Sequence, residues 1–557
     1  MRISIRTRLL ALLLAACATA GCSVSGAPLG EVAELVATGG TKPLRKELRP
    51  IRGTTRALVF AIDGLGLDDL DRALREGRMP RTAALLGDPT DEPGVFAHAY
   101  GARDVLSILP STTLAAWTAA FTGVPAAQNG VPGNEWWARG EGAFYGPVPV
   151  SFMSNAQAIR MYTDRLLDPV IHAPTVFERL DLRSHVSMLQ LQRGADLLQL
   201  AALSKLGDLF EQVVEEGGTG SVRDPDVYRE TDETSVGSVI SDLRKHGVPD
   251  LQVVYLGGLD LVAHQAEQPL ETQQRYLAQV VDPRVGRVLD AYAAAGAMDD
   301  TYVVFVSDHG HTPVLPDDRH ALSGGDGEPT AVLESAGFRV RPFGLRRDAG
   351  DFQAVLAYQG AVANVYLADR ARCPNPGDAC EWARPPRLQE DVLPVARAFF
   401  IASRDGAHVP EMRGTLDLVF ARPPAAAGEA AVAFQVFDGE RLVPVDEWVA
   451  ANARPDLLRL AERIRGLSAG PHGDRAGDVL LLARTGIERP IEERFYFGLE
   501  GYHSWHGGAG AQDSRIPLIV AHPRMTGAAL RARVAPVLGP APSLTALTPL
   551  LLELLRR

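Results

Sequence analysis

The chain has 557 residues, long enough to bury a large core and, at roughly 150 residues per domain, to form about three or four domains on length alone. Hydrophobic residues at 46% and charged residues at 22% exclude a disordered, collagen-like or disulfide-scaffold protein. The 56 Lys and Arg against 68 Asp and Glu give a net charge of −12, which excludes bulk attraction to nucleic acid or an anionic membrane, so an anionic substrate must be held by something local.

The first residues, MRISIRTRLLALLLAACATAGC, set Arg2, Arg6 and Arg8 before a short apolar run and a small-residue stretch. This pattern reads as an export signal over 1–22, too short to span a bilayer, which takes about 20 apolar residues. Cys17 in LAAC and Cys22 in TAGC each resemble the cysteine that is acylated in bacterial lipoprotein signals, and the sequence does not choose between them. Residues 23–50, rich in Gly, Pro and charge, read as a tether, which places the protein outside the cytoplasm, lipid-anchored in the cell envelope.

Apolar, β-branched runs follow at 57–62 (ALVFAI), 251–256 (LQVVYL), 301–306 (TYVVFV), 478–483 (DVLLLA) and 516–520 (IPLIV), with helical patterns at 113–122, 283–296 and 454–467. Near-continuous apolar strands alternating with helices predict an α/β fold: a mainly parallel central sheet with helices on both faces. From about 340 the texture changes to short strands and turns, LDLVF, VAFQVFDG and ERLVPV, and predicts an α+β cap inserted over 336–450, between catalytic segments at 51–335 and 451–557. Cys373 and Cys380 flank a turn-rich PNPGDA and are expected to pair as a local disulfide in an oxidising compartment.

Ligands of open α/β sheets bind beyond the carboxyl ends of the strands, so the residues after each run carry the functional expectation. Asp63 follows the first run, Asp260 and His264 the second, and Ser307, Asp308 and His309 the third; His506 stands in SWHGG ahead of the last. Each is unremarkable alone, an aspartate there being a common helix cap, but four segments delivering Asp and His to one edge make an N/O donor set suited to zinc or, less often, manganese. Asp260 and His264 share one face if a helix opens there. In LPSTTLAAWTAAFTG a helix start gathers Ser111, Thr112 and Thr113, where unpaired N–H groups and the dipole favour an anion and an ionised hydroxyl. Ser111 is expected to cap the helix, leaving Thr113 free. In NGVPGNEWW, Asn134 could donate to a phosphoryl oxygen, and Trp136 and Trp137 either wall the pocket or pack in the core.

Together these residues resemble the alkaline phosphatase superfamily, and within it the type I phosphodiesterase and nucleotide pyrophosphatase branch. The resemblance rests on Pro110 to Thr113 before a helix ending in Thr122-Gly123, on Asn129-Gly130-Val131 leading to Asn134, on Asp260 with His264, on Asp308-His309-Gly310, and on His506-Gly507. It departs where the branch has His and this chain has Asn129, and it is weak in the cap. The resemblance implies two divalent cations, one held by Asp260, His264 and His506, the other by Asp63, Asp308, His309 and the Thr113 oxygen. It implies Thr113 as nucleophile, Asn134 as the group that stabilises the developing oxyanion, and a near-neutral site once the cations offset the carboxylates. His311 and His503 lie close to ligand positions and are not counted among the ligands. The expected partner is a phosphoester small molecule or lipid, with no nucleic-acid surface and with membrane contact only through the anchor. An envelope phosphotransferase would use the same residues; a monoesterase resembling alkaline phosphatase usually has Ser with a nearby Arg and a third metal, and no matching Arg is adjacent to Thr113; a non-catalytic surface-binding lipoprotein is the reading of another class, and a sulfatase would need a Cys-x-Pro-x-Arg motif, which is absent.

Overall fold

The computed structural model describes residues 40–151, 156–200, 226–323, 327–344, 350–425 and 429–556. The expected signal peptide, both candidate lipidation cysteines and the tether up to residue 39 lie outside the described residues. Eight strands form the larger sheet, in the order Gly40–Pro43, Leu197–Leu200, Ser184–Ser187, Leu251–Leu256, Arg56–Ile62, Thr301–Val306, Leu518–Ala521, Ala99–Gly101. The five strands from Leu197–Leu200 to Thr301–Val306 run parallel, and the remaining three pair antiparallel at the two sides. Arg56–Ile62 lies at the centre, with Ala57 to Ile62 buried, because both faces are covered by helices and no alternation with polar residues is needed. The expected α/β architecture is therefore present.

Two features depart from expectation. The DVLLLA run forms the strand Val479–Ala483, yet it belongs to a second, wholly antiparallel sheet of six strands: Ala354–Tyr358, Val362–Leu367, Val479–Ala483, Leu416–Ala421, Gln435–Phe437 and Leu442–Pro444. It is buried on both faces between two hydrophobic clusters, so it carries the same continuous apolar signature as a parallel-sheet strand. The second sheet thus draws on residues 354–483, beyond the end of the block read as the cap. The last run, as Leu518–Ala521, is antiparallel to Thr301–Val306, with Leu518 opposite Val306. That direction brings the residues preceding Leu518 to the carboxyl edge of the parallel strands, and it explains how His506 reaches that edge from upstream of its strand.

The second sheet is built against the first at the site itself. Ala361 N–H donates to His506 O at 2.9 Å, and the side chain of Gln359 accepts from Asn134 N–H at 2.6 Å and donates to Glu135 O at 2.5 Å. Trp136 and Trp137 are fully buried; Trp136 stacks on Tyr145, and Trp137 packs edge-on against Phe352 and Trp382, which makes both core residues. Cys373 and Cys380 are joined in a disulfide close by. No helix among the described residues is long and apolar enough to cross a membrane.

At Gly507 the backbone takes φ +104°, and a Cβ there would collide with the Gln359 carbonyl oxygen. Gly507→Ala is expected to destabilise the fold by at least about 1–3 kcal/mol through strain at positive φ alone, seen as a lowered Tm, and to pull His506 out of place. A melt within a degree of the parent would show that this junction is slack.

Candidate active site

Every metal-ligand residue read from the sequence lies at the carboxyl edge of the parallel strands, in one buried cluster. Asp63 directly follows Arg56–Ile62, and Asp308 and His309 follow Thr301–Val306. Asp260 and His264 sit four apart on the helix Gly258–Gln265, on one face. His506 is fixed by a short ladder in which Ser504–Trp505 pairs antiparallel with Thr312–Pro313. The turn after Asp63 needs glycine: Gly64 has φ +72°, and a Cβ there would fall 2.7 Å from His311 Nε2 and 3.0 Å from Asp260 Cα.

Asp63 and Asp308 each have one oxygen committed to the protein and one buried without a partner. Asp63 Oδ2 accepts from Tyr255 Oη at 2.5 Å and Trp117 Nε1 at 3.3 Å, while Oδ1 is buried with no hydrogen-bond partner, 3.4 Å from His309 Nε2. Asp308 Oδ1 accepts from the N–H groups of Gly64 and His309 at 3.1 and 3.0 Å, while Oδ2 is buried without a partner, 3.3 Å from the same nitrogen. The imidazoles follow the same rule. His264 Nδ1 lies 2.7 Å from Ser504 O, His309 Nδ1 3.1 Å from Gly310 O and His506 Nδ1 2.9 Å from Ser111 O. A carbonyl only accepts, so each Nδ1 carries the proton and each Nε2 presents a lone pair to the cluster.

Burial and mutual proximity shift the titration of these groups strongly. Burial, then Asp260, pushes the Asp63 carboxyl up to about 8, and burial with Asp63 beside it pushes Asp308 well above the usual range. Burial holds His309 down to about 3, and burial and the stacked His309 ring, 3.6 Å away, hold His506 well below its ordinary value. Burial also lowers His311. Burial would raise Asp260, but His264 and His311 outweigh it and hold the carboxyl well below the usual range. Inward-facing lone pairs, orphaned carboxylate oxygens and fixed imidazole tautomers are the donor set and outer-shell wiring of a metal site, so these residues fit a divalent cation.

Among the described residues, three overlapping groups present ligand atoms within 4.8 Å of one another: Asp63, Asp308 and His309; Asp260, His309 and His506; and Asp260, His264 and His311. The set expected from sequence, Asp260 with His264 and His506, is not one of these groups: both Nε2 atoms approach Asp260 Oδ1, at 3.5 and 3.6 Å, but His506 gathers with His309 and His264 with His311. His311, set aside in the sequence, is the nearest of all to that oxygen at 2.9 Å. His503 stays outside these groups and holds the segment through its backbone, its N–H donating to His264 O.

Thr113 is the first residue of the helix Thr113–Thr122, and its Oγ1 lies 3.3 Å from His309 Nε2. Ser111 does not cap this helix: its hydroxyl donates to Gly508 O at 3.0 Å, and the N-cap position falls to Thr112, which makes no side-chain cap bond. The chain is extended through Thr112, which turns Ser111 toward the 508 loop. Asn134 Oδ1 accepts from Leu114 N–H at 2.9 Å, which leaves the amide nitrogen as the end available to a substrate. Asn129, where the resembled branch has His, only braces its own turn, through Val124 O and Val131 N–H. Sequence reasoning missed Gln359 and Tyr255, which position Asn134 and Asp63; no motif marks either. The doubled His in DHGH was the available signal for His311.

Residues 57–324 match the family model for type I phosphodiesterase / nucleotide pyrophosphatase. Among solved structures, an inactive murine ectonucleotide pyrophosphatase/phosphodiesterase 5 in complex with AMP is similar, with TM-score 0.50 and 12% identity over 90% of this chain and 95% of that one. Its human counterpart gives 0.50 and 13% over 90% and 94%. Phosphonoacetate hydrolase from Sinorhizobium meliloti gives 0.46 and 16% over 92% and 100%. At these identities the likeness is one of fold. No curated protein matches the sequence.

With its pKa near 8, Asp63 is mostly protonated at neutral pH in the metal-free protein, and a cation must displace that proton. Asp308 is raised as well, so metal affinity is expected to rise with pH through neutrality into the alkaline range, with proton release on zinc uptake read by calorimetry in buffers of different ionisation enthalpy. Affinity that stays flat between mildly acidic and mildly alkaline pH would contradict this.

Proposed function

We propose, from the match of residues 57–324 to the family model for type I phosphodiesterase / nucleotide pyrophosphatase, that the protein is a metal-dependent phosphodiesterase or pyrophosphatase of the alkaline phosphatase superfamily with Thr113 as nucleophile. The observation that carries this reading is the position of Thr113 Oγ1 at a helix N-terminus, 3.3 Å from His309 Nε2, beside the orphaned oxygens of Asp63 and Asp308. Two divalent cations, zinc or manganese, held by Asp63, Asp308, His309 and Thr113 and by Asp260, His264 and His506, would supply Lewis acidity and offset the carboxylate charge.

The chain's own residues supply the rest. The first-turn N–H groups and helix dipole favour the ionised form of Thr113 and an anionic phosphoryl group beside it. Thr113 Oγ1 forms a bond to phosphorus as the ester oxygen opposite departs, and the phosphoryl group stays on the threonine with its remaining ester. Asn134, its carbonyl end tied to Leu114 N–H, turns its amide N–H toward the non-bridging oxygen, where charge grows. Water then cleaves the phosphothreonine and restores the hydroxyl. We extend the proposal to the setting: an exported, lipid-anchored envelope protein acting on a small-molecule or lipid phosphoester, with no nucleic-acid surface, a reading supported by the N-terminal pattern and the net charge of −12.

Paired nitrophenyl mono- and diester substrates with zinc or manganese test this directly. The diester is expected to be the better substrate. Thr113→Ala is expected to lower turnover about 10³-fold or more while metals stay bound; near-parental activity overturns the nucleophile. Asp308→Ala and His309→Ala are expected to lose metal as well as activity, read by elemental analysis of the purified protein. Gln359→Ala, by releasing Asn134, is expected to lower kcat more than it changes metal content, and an unchanged kcat would remove Asn134 from the mechanism.

A further inference from the structure

We propose that His311 is itself a metal ligand, a further donor, with Asp260, His264 and His506, to the cation on the Asp260 side of the site. The proposal rests on the metal-dependent reading above and adds a donor that the family resemblance does not supply.

Ser504 Oγ has a single hydrogen, and it is donated to Ala263 O at 2.8 Å, since a carbonyl can only accept. Facing His311 Nδ1 at 3.0 Å, the same oxygen must therefore accept, so Nδ1 carries a proton. The opposite nitrogen, Nε2, points at Asp260 Oδ1 from 2.9 Å, with the His311 side chain fully buried. At that separation a positive charge must lie between the ring nitrogen and the carboxylate, either a second ring proton donated to Asp260 Oδ1 or a cation bound by both, and two further imidazoles converging on the same oxygen favour the cation. His264 and His506 present their Nε2 atoms to the same oxygen with the same wiring, Nδ1 held by a backbone carbonyl. Ser504 orients two of the three rings, His264 through its carbonyl and His311 through its hydroxyl. Gly64 keeps the space beside His311 Nε2 open, since any Cβ would fill it. A ring locked in this tautomer, aimed at the shared oxygen and kept clear of other atoms, is wired as a ligand. Asp260, His264 and His311 present ligand atoms within 4.8 Å of one another, three donors of the kind zinc takes.

The full-length protein, stripped with a chelator and titrated with cobalt(II), reads this without any assay of turnover. Parent protein is expected to take up two cations, and His311→Ala and His311→Gln to weaken one of them by about 100-fold or more with a shift of the visible cobalt bands. The other cation should stay. Glutamine refills the space and keeps a polar group beside Ser504, which guards against a folding defect. Affinities within about threefold of the parent and an unchanged spectrum in either variant overturn the proposal. X-ray absorption of the zinc-loaded parent gives an answer that needs no variant: four imidazoles shared by the two ions support it, and three overturn it while leaving the metal-dependent reading intact. A parent that binds no cation overturns both.

Discussion

Four imidazole nitrogens meet around a single carboxylate oxygen: Asp260 Oδ1 has His311, His264, His506 and His309 Nε2 atoms at 2.9, 3.5, 3.6 and 4.0 Å. Each of these rings has its other nitrogen spent on a fixed oxygen acceptor, so the cluster cannot relieve itself by turning a ring or changing a tautomer. Next to it, one oxygen each of Asp63 and Asp308 is buried without a partner. Removing such groups from water without compensation costs several kcal/mol, and the arrangement is sustained because the surrounding fold over-determines it. The constraint that organises the molecule is thus a buried, electron-rich pocket that requires positive charge.

The two sheets divide the work of holding it. The central parallel strands deliver Asp63, Asp260, Asp308 and His309 to one edge, where a short connection from a rigid strand leaves little freedom in where a side chain points. The antiparallel strand Leu518–Ala521 lets the chain approach the same edge from upstream with His506. The second sheet then braces what the first cannot reach, through Ala361 on His506 and Gln359 on Asn134. A segment that would pass for an accessory lid is in this way part of the support of the catalytic edge.

The sequence made the parallel core and its edge residues legible because both follow local rules: continuous apolar runs for buried strands, and Asp or His within a few residues of their ends. The helix over 113–122 and its stop at Gly123 were legible for the same reason. The assignment of 478–483 to a sheet was not, since a strand buried on both faces has the same composition whether its neighbours run parallel or antiparallel. Ser111 was misread as a cap because its partner, Gly508 O, lies 397 residues away. Gln359 and Tyr255 are invisible for that reason too: their roles come from tertiary placement, and glutamine or tyrosine in a strand carries no signal of its own. His311 was visible as a residue but not as a neighbour of Asp260, because its reach depends on the missing side chain at Gly64 and on a hydroxyl at Ser504.

Thr113 Oγ1 lies beside a cluster of Asp and His that could hold a metal ion, and the proposed function stands or falls on whether that oxygen forms a bond to phosphorus. Acid quenching during turnover of bis(nitrophenyl) phosphate, followed by mass spectrometry of the peptides, reads this most directly. The account predicts a nitrophenylphosphoryl group on the peptide containing Thr113, and on no other. Rapid turnover with that peptide unmodified at every time point, or with the group on a different residue, would contradict it.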